Sequence, residues 1–295
     1  MVTIRPGPVN VGGITLQSHL LLAAGVLGTT GASLSRMLQL GAGGVVTKSI
    51  GPHPKDGHNG PCLVALEDGL LNAMGLPNPS KEFVDELAPL AEKPVIVSIF
   101  GGNPEEFAEV AGWFTGKVAA IELNLSCPHA EGYGAAIGSD PALVEACTRA
   151  VSRTGVPVWV KLTPNVTDIT AIGMAAEKGG ASAIVAINTV RAMRISTGIR
   201  RPVLGNRYGG LSGNAVFPIA VRCVYELYEA VKVPIIGCGG VSTADNVVEM
   251  MMAGARAVEI GSAVHEDVQV FGKIRDALYA KDGDAADAIV GCAHG

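Results

Sequence analysis

Apolar, β-branched runs alternate along the whole chain with segments whose apolar residues recur every three or four positions. The runs at residues 20–24, 44–48, 94–99, 118–123, 157–162, 183–187, 234–237 and 257–261 are apolar at most positions, as strands covered on both faces are. Residues 81–92, 105–114, 141–153, 169–178, 215–231 and 244–252 carry the helical spacing. Eight strands, each followed by a helix or a long connection, predict an α/β protein: one domain over residues 1–295, built as a closed (β/α)8 TIM barrel. A doubly wound open sheet with fewer true strands is the structural alternative. Residues 9–16, centred on Gly12 and Gly13, predict a hairpin that plugs the barrel bottom. The connections 49–80 and 189–213 are rich in Gly, Pro and Asn and too long for simple turns, so they are expected to be active-site loops.

Composition narrows the class. With 48% hydrophobic and 17% charged residues, and 39 glycines, the 295-residue chain reads as a well-buried globular protein with many tight turns. A net charge of -5 and the lack of a Lys/Arg-rich run give no support for nucleic-acid binding. No apolar stretch is long enough to span a bilayer. The first residues, Met1-Val2-Thr3-Ile4-Arg5-Pro6, lack the pattern of a signal peptide, so a cytoplasmic location is expected. The six cysteines, at 62, 127, 147, 223, 238 and 292, have no Cys-x-x-Cys spacing, so no metal or iron–sulfur site is expected on this chain. A reducing compartment also argues against disulfides.

The barrel reading places polar groups at the carboxyl ends of the strands, where active sites of this fold lie. The first strand ends at Ala24-Gly25 and the second at Thr47-Lys48-Ser49. Ser98 closes the third, and the fourth runs into Asn124-Leu125-Ser126-Cys127-Pro128-His129. Lys161 sits in the fifth, and the sixth runs through Ile187 to Asn188-Thr189. Glycines end the last two, at Gly239-Gly240 and Gly261-Ser262. Lys48 and Lys161 follow apolar runs, where an ammonium needs an anionic or polar partner. That partner is either a structural ion pair at the barrel mouth or a shared anionic ligand. The glycine ends suit a phosphate, although glycine also serves plain turns. In the first long loop, Asn72 offers both donor and acceptor, and Gly75 lets backbone turn close to a ligand. Cys127 is either an inert buried thiol or a reactive one held at the rim of the sheet.

Taken together, Lys48-Ser49, Asn72-Ala73-Met74-Gly75-Leu76, Asn124-Leu125-Ser126-Cys127-Pro128, Lys161-Leu162-Thr163-Pro164-Asn165, Ile187-Asn188-Thr189 and Gly210-Leu211-Ser212-Gly213 resemble the dihydroorotate dehydrogenases in order and spacing, over essentially the whole chain. The resemblance is to class 1, with a cysteine base, and within it to the NAD-linked class 1B catalytic subunit. It implies one FMN per chain, its phosphate at Gly239, Gly240, Gly261 and Ser262, with Lys161 near the polar edge of the flavin ring. Ala24, Gly25, Lys48, Ser49, Asn124, Ile187 and Gly213 would complete the cofactor site. Dihydroorotate would be held by Lys48, Asn72, Met74, Gly75, Leu76, Asn124, His129, Asn188 and Thr189. Cys127 would remove the C5 proton while the C6 hydride passes to flavin N5, giving orotate for pyrimidine biosynthesis. Residues 130–139, with Gly132 and Gly134 as hinges, would close over the site. Electrons would pass to NAD through a partner subunit carrying FAD and [2Fe-2S], in an α2β2 heterotetramer containing a homodimer of this chain.

At one position the chain departs from the family: many members have Asn where His129 stands. Cys-Pro-His is similar to dihydropyrimidine dehydrogenases, so reduction of uracil or thymine is an alternative. A non-redox isomerase or aldolase using Lys48 or Lys161 as a Schiff base is another, and a non-catalytic flavin-binding subunit a third.

Overall fold

The computed structural model describes residues 2–125 and 137–295. The chain opens with an antiparallel hairpin, β1 (Val9–Val11) and β2 (Ile14–Leu16), followed by β3 (Leu20–Leu22), α1 (Gly31–Gln39) and β4 (Gly44–Val46). Next come β5 (Leu63–Leu66), β6 (Gly69–Asn72), β7 (Val95–Ile99), α2 (Pro104–Phe114), β8 (Ala120–Asn124) and α3 (Pro141–Ser152). They are followed by β9 (Val158–Leu162), α4 (Ile169–Lys178), β10 (Ala183–Ala186), β11 (Val190–Ala192), β12 (Ile195–Ser196), β13 (Arg201–Pro202) and β14 (Gly209–Ser212). The chain then forms α5 (Phe217–Ala230), β15 (Ile235–Cys238), α6 (Ala244–Met252), β16 (Ala255–Ile260), α7 (Ala263–Glu266) and α8 (Val270–Leu278).

Eight strands close into a parallel barrel in the order β3-β4-β7-β8-β9-β10-β15-β16 and back to β3. The barrel excludes the open-sheet alternative. Each predicted run is one barrel strand, with ends shifted by at most two residues. Alternate positions serve two cores, as the pleat requires. Leu20, Val45, Val95, Ile121, Val158, Ile184, Ile235 and Val258 face the helices. Leu21, Val46, Ile96, Ala120, Trp159, Ala183, Ile236 and Ala257 fill the barrel interior. Polar N-caps start the helices: Thr30 and Thr243 close capping boxes on α1 and α6, while Asn103, Asp140 and Asp168 accept from the first-turn N–H groups of α2, α3 and α4.

The hairpin packs Val9, Val11 and Leu16 into the same interior cluster and so seals the bottom, as expected. Trp159 Nε1 donates to the Gly12 carbonyl at 2.9 Å. A Cβ on Gly12 would lie 2.2 Å from that same nitrogen, and φ there is +55°, so only glycine fits.

One expectation changes, and the long loops gain strands of their own. Residues 81–92 do not form an α-helix; Ser80–Leu90 winds as 3-10 turns and contains Pro89, which has no N–H to donate. The two long loops are not irregular. They contribute β5 and β6, and β11 and β14, to one antiparallel sheet of order β11-β14-β6-β5, with Leu71, Ala73 and Leu204 as its core. Among the described residues no helix is long and apolar enough to cross a membrane.

Candidate active site

At the carboxyl ends of the barrel strands a cleft opens between the barrel and the small sheet. The first two barrel strands bring Ala24, Gly25, Lys48 and Ser49 to it. Asn124, Lys161, Ile187, Asn188 and Thr189 come from the fourth, fifth and sixth barrel strands and their ends, and Gly239, Gly240, Gly261 and Ser262 from the last two. The first long loop adds Asn72, Met74, Gly75 and Leu76 from the opposite side. Gly213 does not line the cleft; its carbonyl packs under Gly240 instead. Cys127 and His129 lie outside the described residues, as do Gly132 and Gly134.

The amides and hydroxyls of this mouth are tied into a chain. Ser98 Oγ meets Ser49 Oγ at 3.0 Å, and Asn124 Nδ2 donates to Ser49 Oγ at 3.0 Å. Asn188 Nδ2 donates to Asn124 Oδ1 at 3.2 Å, and the Thr189 N–H to Asn188 Oδ1 at 2.8 Å. Asn165 Nδ2 then donates to the Thr189 carbonyl at 3.1 Å. Five strand ends are thereby fixed against one another, so the polar groups that face the cleft are preorganised. Across from them, Asn72 Nδ2 donates to the Gly210 carbonyl at 3.3 Å and locks the loop to β14.

The glycine end of β15 has a steric reason. A Cβ on Gly239 would lie 2.9 Å from Ala220 Cβ of α5, and one on Gly240 would lie 2.8 Å from the Gly213 carbonyl oxygen, with φ of +128° and +73°. Close packing behind the strand end therefore leaves bare backbone to line the cleft. Bare backbone amides at strand ends, near the start of α6, are the donor chemistry an anionic group such as phosphate requires.

Under the cleft lies a charged cluster of which the sequence reading saw only one member. Lys161 is 4% exposed and ion-pairs with Glu259, while Glu122 Oε2 lies 3.8 Å from its ammonium. Burial opposes the Lys161 cation, but Cys238, Glu122 and Glu259 together hold its pKa above the ordinary lysine value. Burial, and then the nearby Glu259, pushes the Glu122 carboxyl well above the usual carboxylate range. So the first of the two meanings left open for Lys161, a structural ion pair, is present, and it sits at the cleft floor. A Schiff-base lysine must shed its proton, and these surroundings act in the opposite sense, which counts against the aldolase alternative at Lys161. The overlooked signal was a charged residue inside each of two apolar strands, Ala-Ile-Glu-Leu-Asn and Ala-Arg-Ala-Val-Glu-Ile.

Other lining residues went unpredicted. Leu63, Leu70 and Leu211 come from the small sheet, and His265 from α7. Cys238 also faces the cleft, next to Lys161, but burial pushes its thiol up to about 12. The thiols of Cys147 and Cys223 are likewise raised by burial, to about 12 and about 11. None of the three is suited to act as a base near neutrality.

The sequence profile of the family described as dihydroorotate dehydrogenase matches residues 8–281. The chain belongs to the dihydroorotate dehydrogenase family. It is 58% identical to a protein of Methanosarcina acetivorans named "Dihydroorotate dehydrogenase B (NAD(+)), catalytic subunit", over 97% of this chain and 95% of the relative. A protein of the same name from Methanosarcina mazei is 61% identical over 91% of this chain and 88% of its own length. One from Pyrococcus furiosus is 50% identical over 90% of each. In this family member, the barrel strands and the small sheet all fall within the matched region.

Proposed function

We propose that this chain is the catalytic subunit of an NAD-linked dihydroorotate dehydrogenase that oxidises dihydroorotate to orotate with FMN bound in the cleft. The observation that carries the proposal is the cleft itself. Lys48 and the amides of Asn72, Asn124 and Asn188 border one strand-end cavity together with the Lys161 floor and the glycine backbone of β15. Those residues fit the cofactor on two counts. Backbone that no side chain can occupy suits the phosphate, and a cation held at the floor suits a flavin ring that gains negative charge on reduction.

The roles follow from the chemistry of the side chains. The Lys48 ammonium offers a charge to the substrate carboxylate, and the Asn amides offer both donors and acceptors to the ring amides. When bound, FMN supplies the two-electron acceptor for the C6 hydride. Cys127 takes the C5 proton. It follows Asn124, which borders the cleft, by three positions in the sequence. Cys238, the thiol that lines the cleft among the described residues, is pushed up to about 12 by burial and is no rival base. The relatives are named as catalytic subunits, which supports a separate partner. We assign that partner FAD and a [2Fe-2S] cluster, in an α2β2 assembly built on a homodimer of this chain.

The test is dihydroorotate oxidation by the FMN-loaded chain with an artificial acceptor, run beside dihydrouracil. Cys127→Ala is expected to lower the rate by about 10²–10⁴ with FMN retained. Undiminished oxidation by that variant would remove Cys127 from the mechanism. Preference for dihydrouracil would move the assignment to the pyrimidine-reducing alternative that His129 suggests.

A further inference from the structure

The charges of the cluster under the cleft do not balance as written. One ammonium faces two carboxyl groups, and Lys161, Glu122 and Glu259 are 4%, 0% and 1% exposed. The glutamates reach each other from opposite walls, since β8 and β16 stand four strands apart around the eight-stranded barrel. Ser98 is the register partner of Glu122, and Cys238 that of Glu259, so neither neighbour adds a second cation. Glu122 has the Ser98 hydroxyl and the Glu259 carboxyl as its hydrogen-bonding neighbours, and among the described residues one oxygen of Glu259 has no partner. An ionised carboxylate so placed in an apolar barrel is strongly disfavoured, and two facing carboxylates disfavour double ionisation. One retained proton removes both difficulties and joins the two acids to each other.

We infer that Glu122 and Glu259 are positioning residues: sharing one proton, they leave a single anion to face Lys161 and so fix the positive charge that the cleft floor presents to a flavin ring above it. The inference rests on the flavin reading of the cleft. Because either glutamate can carry the anion, removing one leaves the other to ionise, and the charge balance survives. Removing both leaves Lys161 with no counter-ion, so burial then disfavours its ammonium and the positive charge of the floor is lost.

Sulfite is the probe, since it adds to oxidised flavins more tightly when positive charge lies near the ring. The FMN-loaded full chain is compared with E122Q, E259Q and the double variant. Each single variant should keep its sulfite Kd within about three-fold of the unsubstituted protein, whereas the double variant, whose buried amine has lost the charge held by its counter-ion, binds at least about ten-fold more weakly. A double variant that binds sulfite as tightly as the unsubstituted protein overturns the inference, and so does a single variant that reproduces the whole change. A second measurement needs no flavin and covers a double variant that fails to fold. Infrared spectra at neutral pH should contain the carbonyl stretch of one buried carboxylic acid, lost in E122Q and equally in E259Q. Absence of that band from the unsubstituted chain overturns the shared proton. A chain that takes up no FMN but keeps the band contradicts the flavin reading alone.

Discussion

Lys48 stands half-buried two residues beyond β4, with its N–H bonded to the Gly28 carbonyl at 2.9 Å, so its backbone is held while its side chain reaches the cleft. Lys48→Ala is expected to weaken orotate binding about ten-fold or more, equivalent to about 1.4 kcal/mol, with FMN content unchanged. Equilibrium titration with orotate beside the flavin absorbance checks this, and equal loss of both ligands would reassign the residue. Cys127 carries a second prediction. A thiol ionises near ~8.5 in its ordinary state, so the rate should rise with pH as thiolate forms, until another group limits it. A profile flat from about pH 6 to 9 is incompatible with a thiolate base in the rate-limiting step. Both residues could be picked from the sequence because each breaks an apolar run at its end. Glu122 and Glu259 break theirs from within, where a single charged letter reads as an outward-facing position until the barrel closes around it.

Elements at the barrel bottom show what the hairpin and β3 contribute to stability. Trp159→Phe removes the only hydrogen-bond donor of that side chain and leaves the buried Gly12 carbonyl unmatched, at an expected cost of about 1–3 kcal/mol in urea unfolding. An unchanged unfolding midpoint would mean that the hairpin is not anchored there. His19, directly before β3, is 3% exposed, and its Nδ1 lies 3.1 Å from Tyr279 Oη. Burial, then the Arg256 charge, pushes its imidazole down to about 4, with Asp287 acting in the other direction. The unfolded chain therefore binds this proton more readily between pH 6.5 and about 4. The stability His19 contributes is complete above pH 6.5 and is lost as pH falls through that window. Thermal unfolding at pH 7 and pH 5 should show a drop in Tm that is smaller in His19→Gln. The strands and most helices were legible because periodicity reports burial directly. The small sheet was not, because its strands are three to four residues long and pair residues far apart in the chain.

For the whole molecule the question is where the electrons go. The FMN-loaded chain alone is expected to oxidise dihydroorotate with an artificial acceptor and to reduce NAD only when the partner subunit is added. Stopped-flow absorbance of flavin and NADH checks both halves. Rapid NAD reduction by the isolated chain would show that no intermediary is needed. Exposed apolar residues cluster on the small sheet and its hairpin, with Ile195 at 57% and Ile199 at 68% exposure. These are positions at which burial against another chain would be measurable by hydrogen exchange.

The sequence by itself determined the barrel, its eight strands, the plug and the polar and glycine residues that the strand ends bring to the cleft. Each of these follows from local order: apolar period sets the element, and a strand's last residues must emerge at one end of a parallel barrel. Only the tertiary structure decided which polar groups meet. Residues 49–80 and 189–213 pair into one sheet, and Glu122 and Glu259 face each other across the barrel beneath Lys161. The reason is physical. Closure brings strands far apart in the chain within Coulomb range, and the energy of a buried charge depends on those neighbours, which no window of sequence contains.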